Sequence, residues 1–375
     1  MRSREMDDWR TFYDRGIFPH SQPLGLFDPC DSLDNAFSGL SLTDFGRGAW
    51  DRARFFSAYD ERFFNLGEMR GKLLPVARDQ HGCRLLQKVL GEMRREQIDE
   101  VFDELIEHCG LLMVDPFANY VVQKLVEVCS EEQRTRIVFT VCRNEFSFVR
   151  ICLNMHGTRA VQKLLSYINS PEQISLVMRA LCPGAVALTK DSNGHHVIQH
   201  CLKQFSSEDN KFLMAMIAEN SFSVSTNKSG CCVMQLCVQY SRGEIRKLLT
   251  SEITANSLLL SEDRYGNYVV QHLLGLRMAD ITEKLLYHLR GSFAALSCNK
   301  YGSNVVEKCL SETSDQQASQ IIIELITSPN ASSLILDPYG NYVIQCALSV
   351  AKVRVRVKLG IDSDWKSGAG SPCTL

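Results

Sequence analysis

Asp263-Arg264-Tyr265-Gly266-Asn267-Tyr268-Val269-Val270-Gln271-His272-Leu273-Leu274 is one of eight copies of a single pattern. With Asn267 as position one, the same position falls at Cys83, Asn119, Thr158, His195, Cys231, Ser303 and Asn341 in the other copies, at intervals of 36 to 39 residues. An aliphatic stands seven residues earlier every time (Val76, Leu112, Ile151, Leu188, Val224, Leu260, Leu296, Leu334). Another stands seven residues later (Leu90, Val126, Leu165, Leu202, Val238, Leu274, Leu310, Leu348). Asp or Asn precedes position one by four residues in every copy, and Gly precedes it directly except where Ala118 stands. Asp and Asn accept bonds from the unpaired N–H groups of a helix start. Pro116 and Pro338 follow two of these caps, at the helical position proline tolerates best. The small residue marks a place where a neighbouring helix comes close.

Within the unit, positions three, four, seven and eight are apolar, as in Val269, Val270, Leu273 and Leu274, and the others are mostly polar or aromatic. That division has the period of a helix with one buried face, not of a strand. A second periodic segment follows the units, for example at 98–108, 131–142, 172–182 and 316–327, and a short helix precedes each cap. Three helices per repeat, stacked eight times, predict an all-α solenoid with one continuous core.

The polar stripe carries the functional argument. Positions one and five lie one helical turn apart, so their side chains project together, with position two beside them. Position five is Gln87, Gln123, Gln162, Gln199, Gln235, Gln271 and Gln345, with Glu307 in the seventh copy. A merely solvated face has no reason to keep Gln in phase over so many turns, and a Gln amide beside Asn, Cys or Thr matches the edge of one base. Position two is Arg84, Tyr120, Arg159, His196, Cys232, Tyr268, Asn304 and Tyr342, mostly planar groups suited to stacking on a base. Position six adds Lys88, Lys124, Lys163 and Lys308, with His200 and His272, a basic line expected to follow a phosphate backbone.

These units, above all Asn267-Tyr268-Val269-Val270-Gln271, Asn341-Tyr342-Val343-Ile344-Gln345 and Ser303-Asn304-Val305-Val306-Glu307 with their Asp-x-x-Gly or Asn-x-x-Gly leaders, resemble Pumilio (PUF) repeats. The resemblance covers roughly residues 66 to 350, and Asp79-Gln80-His81-Gly82-Cys83-Arg84 is similar to the family's first repeat. It implies a right-handed α-solenoid, a crescent of eight three-helix repeats, whose concave face binds single-stranded RNA one base per repeat, antiparallel to the chain. It also implies a monomer that binds 3′ untranslated regions of mRNAs, with protein co-regulators on the convex face and an effect on translation or mRNA stability. Carried over repeat by repeat, Asn with Gln (Asn341/Gln345, Asn267/Gln271, Asn119/Gln123) implies uracil. Ser303 with Glu307 implies guanine, whose edge offers two adjacent N–H donors to a carboxylate, and Cys83/Gln87 and Thr158/Gln162 imply adenine. Cys231/Gln235 implies adenine without a planar stacker, and His195/Gln199 departs from the usual Asn, leaving tolerance or a uracil preference open. The expected target is close to 5′-UGUNNAUA. An armadillo- or HEAT-like protein scaffold and a divergent PUF-like protein without base preference stand as alternatives.

Composition narrows the rest. With 41 basic and 43 acidic groups in 375 residues, the chain is no bulk polycation, and an RNA surface must be a local stripe. The 15 cysteines stand singly or as the pair Cys231-Cys232, with no C-x-x-C, so they read as small buried hydrophobes in a reducing compartment and not as zinc ligands. Neither an apolar leader nor a run of about 18 apolar residues is present, so a soluble, cytoplasmic protein without a membrane partner is expected. His195-His196 has no recurring carboxylate partner; no catalytic residue, cofactor or metal is expected. Residues 1–60 read as a largely disordered extension, with 45–59 as a partial cap, and 61–350 as the repeat domain with its last repeat incomplete. At 351–375 the chain carries an atypical tail, truncated or altered, where a further helix and a cap are due.

Overall fold

The computed structural model describes residues 66–329 and 331–358, with side chains as far as 351. The expectations for residues 1–60 and for the chain past 358 lie outside the described residues. The described part is helical throughout, and the repeat unit is the expected triplet. In the sixth repeat its helices are Ser257–Glu262, Gly266–Gly275 and Ala279–Leu289. The eight second helices are Gln80–Leu90, Ala118–Val128, Gly157–Leu165, Gly194–Gln204, Gly230–Tyr240, Gly266–Gly275, Gly302–Glu312 and Gly340–Lys358. Each lies against the second helix of the next repeat, so they form one row, and the third helices form another.

The cap acts alike in all eight copies. Its side chain accepts from two backbone N–H groups, as Asp263 does from Tyr265 and Gly266 at 2.8 Å, and its carbonyl accepts from the N–H of position one. The small residue before position one is required because the second helix starts against the end of the first. A Cβ on Gly157 would stand 2.2 Å from the Ile151 carbonyl oxygen, and one on Gly230 would stand 2.3 Å from that of Val224. Third helices begin with their own Ser–Gln capping boxes at Ser130, Ser170 and Ser314. Polar ties such as Gln173 Nε2 to Thr135 Oγ1, at 2.7 Å, join one third helix to the next.

The aliphatics that flank each unit fill the space between helices, and Val269, Val270, Leu273 and Leu274 are all buried, as their phasing requires. Each such side chain stabilises the fold by about 1.5–3 kcal/mol. The eighth repeat differs. Leu348 is 56% exposed and Leu336 88% exposed, whereas Leu310, the counterpart of Leu348, is fully covered. Its second helix does not stop at 350 but runs on to Lys358, and no third helix follows among the described residues. Ala351 to Lys358 contains no Gly or Pro to end a helix.

Candidate nucleic-acid interface

Because the cap repeats in all eight copies, positions one, two and five recur at one place along the row of second helices. Position two is exposed in every repeat: Arg84, Tyr120, Arg159, His196, Cys232, Tyr268, Asn304 and Tyr342 all face solvent. Three exposed tyrosines on one stripe are costly to hydrate and are open to stacking partners.

Position one departs from the expectation of an exposed group. Cys83, Asn119, Thr158, Cys231, Asn267 and Ser303 are buried, and only His195 and Asn341 keep part of their surface. The reason is local: each sits in the first turn, where its polar atom has a carbonyl within reach. Asn119, Asn267 and Asn341 donate from Nδ2 to the carbonyls of Asp115, Asp263 and Asp337 at 2.8, 2.8 and 2.7 Å. Cys83 and Cys231 donate to Gln80 and Lys228 at 3.3 Å. The Thr158 hydroxyl donates to the Asn193 carbonyl of the next repeat at 3.0 Å.

The position-five amides are half-buried except for Gln345, which is exposed, and their anchoring sorts by position one. Gln123, Gln271 and Gln345 donate from Nε2 to the Oδ1 of Asn119, Asn267 and Asn341 at 3.0, 2.9 and 3.2 Å. Gln87, Gln162 and Gln235 donate to the backbone carbonyls of Cys83, Thr158 and Cys231 at 3.1, 3.1 and 3.2 Å, and Gln162 donates also to the Thr158 hydroxyl at 3.2 Å. The same amide is thus aimed in two ways, each leaving Oε1 for a ligand. Glu307, in the seventh repeat, has a half-buried carboxylate that takes no hydrogen bond among the described residues. Burial pushes its pKa above the usual glutamate value.

At position six, Lys124, Lys163 and Lys308 are half-buried and paired, whereas Lys88 is exposed. Lys124 and Lys163 both grip Glu127, at 3.0 and 2.5 Å, and Lys308 grips Glu312 at 2.9 Å. These pairs hold Glu127 and Glu312 below the usual carboxylate range, chiefly through hydrogen bonds from Lys163 and Lys308 respectively. Position six faces the seam between repeats: Lys124 and Lys308 lie beside the positions of Gly91 and Gly275 in the preceding repeats. His200 and His272 have lowered pKa values through burial. Exposed cations stand elsewhere, at Lys228, Arg264 and Lys300, one turn before position two in repeats five, six and seven, together with Arg84 and Arg159. Their i, i+4 relation to Cys232, Tyr268 and Asn304 is legible in the sequence, though no charge pattern at position six points to it.

All 13 described cysteines are free, and nine are buried; burial pushes thiols such as Cys109, Cys237 and Cys309 up to about 12. No group of three or more possible metal ligands occurs among the described residues, and no described helix is long and apolar enough to cross a membrane. His195 and His196 lie ring against ring, with centroids 3.9 Å apart.

Comparison with known proteins agrees with this geometry. The family model of the Pumilio-family RNA binding repeat matches eight segments, at 72–106, 108–139, 147–182, 185–218, 220–254, 256–277, 292–326 and 330–359. The chain is 43% identical over 313 residues to Pumilio homolog 12 of Arabidopsis thaliana, covering 82% of this chain and 52% of that protein. It is 40% identical over 348 residues to Pumilio homolog 9 of the same plant, covering 92% and 61%. The chain thus spans between half and two thirds of the length of these two relatives. Among solved structures, the Puf4 RNA binding domain bound to an HO endonuclease RNA 3′ UTR recognition sequence superposes with a TM-score of 0.68 at 36% identity, over 74% of this chain and 87% of that one. The RNA-binding domain of yeast Puf5p bound to AAT2 RNA gives 0.69 at 30% identity, over 81% and 88%. The family is one of RNA-binding repeats and not of enzymes. With its eight capped, phase-locked repeats, this chain belongs to the Pumilio family.

Proposed function

We propose that the chain binds single-stranded RNA sequence-specifically, at UGU-containing sites close to 5′-UGUNNAUA in mRNA 3′ untranslated regions. It would act in the cytoplasm, lowering translation or mRNA stability through recruited proteins. The observation that carries this reading is the sorting of position five. Three amides are anchored on Asn side chains and three on backbone carbonyls, and one carboxylate is left without a donor. An uncompensated half-buried carboxylate is costly. The two adjacent N–H groups of a guanine edge supply what Glu307 lacks. Tyr268 and Tyr342 provide stacking surfaces on either side of the seventh repeat, and Lys228, Arg264 and Lys300 offer charges for the backbone phosphates. Exposed Phe139, Phe212, Tyr287 and Ile323 lie on the third helices, a separate row that leaves the stripe to RNA and offers apolar surface to protein partners.

The test is a binding comparison between an RNA containing UGUAAAUA and the same RNA with its G changed to U. The first should bind more tightly, by about 1–3 kcal/mol on the scale of base-edge readout. The pair of changes Ser303→Asn and Glu307→Gln should reverse the order. Equal affinity of the unaltered protein for both RNAs removes the proposed base reading.

A further inference from the structure

Of the 13 described cysteines only Cys232 and Cys298 are exposed. Cys298 has Asp337 beside it; Cys232 has a second thiol. Cys231 and Cys232 stand in the first turn of the second helix of the fifth repeat, Gly230–Tyr240, and their sulfurs lie 4.0 Å apart. Cys231 Sγ also donates to the Lys228 carbonyl at 3.3 Å. Burial, with Cys232 close by, pushes the Cys231 thiol up to about 12, so it stays protonated at neutral pH. Position two, a Tyr, Arg, His or Asn elsewhere on the stripe, is a thiol only here.

Two neighbouring thiols can be joined directly or through a third atom. A disulfide fits poorly: adjacent Cα atoms stand about 3.8 Å apart, below the roughly 4.4–6.8 Å that a disulfide takes, so closing it would distort the helix. A bridging atom fits better. With about 2.3 Å per bond, as between zinc and sulfur, a bent bridge holds two sulfurs roughly 3.3–3.8 Å apart and a linear one about 4.6 Å apart. The observed 4.0 Å is nearer the bent case. Zinc is bent too but asks for four ligands, and no group of three or more possible ligands occurs among the described residues. Trivalent arsenic is pyramidal and soft, and an arsenical that carries one carbon group needs only two thiolates to complete it.

We propose that Cys231 and Cys232 form a dithiol site for monosubstituted trivalent arsenicals, R–As(OH)2, and that filling it excludes RNA from the fifth repeat. The exposed Cys232 adds first. Its S–As bond forms as one As–OH bond breaks, and the thiol proton leaves with that hydroxide as water. Cys231 closes the ring in the same way and releases a second water, with no change in oxidation state. The bound group then covers the exposed side of position two, where a base would approach. It also ties down Cys231 beside Gln235, whose amide is anchored on the Cys231 carbonyl at 3.2 Å. The exclusion, unlike the binding of arsenic, rests on the proposed RNA reading.

The probe is phenylarsine oxide, added at one equivalent to the whole reduced chain with excess glutathione as a competing monothiol. Intact mass should show one phenylarsenic group per chain, removable by ethanedithiol, and the adduct should protect Cys232 but not Cys298 from alkylation. Cys231→Ser and Cys232→Asn each introduce the residue that the seventh repeat holds at that position, Ser303 or Asn304, so both variants are expected to fold. Each should lower the yield of glutathione-resistant adduct by at least about tenfold. An adduct that glutathione strips from the unaltered protein, or that persists undiminished in either variant, overturns the site. In a second arm, the adduct should weaken binding of an RNA containing UGUAAAUA by at least about tenfold. Undiminished affinity of the loaded protein, while the second-base G is still told from U, overturns the exclusion alone. Failure of the unaltered protein to tell G from U instead overturns the broader RNA reading.

Discussion

At Glu307, burial and function act in opposite directions. Its carboxyl is raised above the usual glutamate pKa because part of its water is removed and no donor replaces it. A group whose pKa rises on folding leaves the folded state holding more protons between the ordinary and the raised value. Stability therefore falls as pH rises through that window. RNA binding has the reverse sign, since only the ionised form accepts both guanine donors. Affinity for a UGU RNA should weaken as pH drops through the raised pKa. Glu307→Gln should flatten that pH dependence and raise the thermal midpoint of the free protein at neutral pH. Fluorescence anisotropy across a pH series, with a melt at neutral pH, checks both. A variant that keeps the parent's pH slope would place the titrating group elsewhere. The Asp and Asn caps show the opposite case, in which every acceptor finds its donors, as Asp337 does with Tyr339 and Gly340 at 2.8 Å.

The helices obey steric rules that the residues alone only hint at. The Gly before position one is legible in the sequence as a close approach, but its partner is not. The structure identifies the partner as the carbonyl ending the first helix of the same repeat, at distances that differ between copies. A Cβ would come within 2.2 Å of the Ile151 oxygen at Gly157, but stay 2.9 Å from the Leu188 oxygen at Gly194. Gly157→Ala should therefore cost more than Gly194→Ala, with a loss of about 1–3 kcal/mol for the former, read from urea unfolding. Equal losses would mean that the helix pair relaxes freely. Ala118 shows that the second repeat has already made room for a methyl group, and it is fully buried there. Helix ends follow similar logic. The second helix of the eighth repeat continues past the point where the others stop, because nothing in Ala351 to Lys358 breaks it.

For the whole array, charge is distributed in a way that composition conceals. Of the expected position-six lysines, Lys124, Lys163 and Lys308 are tied to Glu127 and Glu312, whereas Arg264 and Lys300 stand exposed on the stripe. Arg264→Met should reduce the steepness of the affinity–salt relation by about 0.7, the value for one phosphate contact on a single strand. Lys163→Met should lower it by less, because Glu127, shared with Lys124, already offsets part of that charge. Anisotropy titrations over a range of KCl concentrations measure both slopes, and an equal drop for Lys163→Met would favour position six as the phosphate track. Repetition made most of this protein readable in one dimension. Eight copies of cap, small residue and flanking aliphatics specify the helix triplet, its stacking and the positions of the reading side chains, since each depends on neighbours within one repeat. Three things needed the folded chain: the burial of position one, the anchor chosen by each Gln, and the carboxylates that engage the lysines. Most of these partners lie three or four residues away on the same chain segment, with Thr158 to Asn193 and Lys163 to Glu127 reaching across repeats. Which of the acceptors within about 3 Å each side chain takes, and what covers it, is set by the packing around it, which spacing along the chain does not encode.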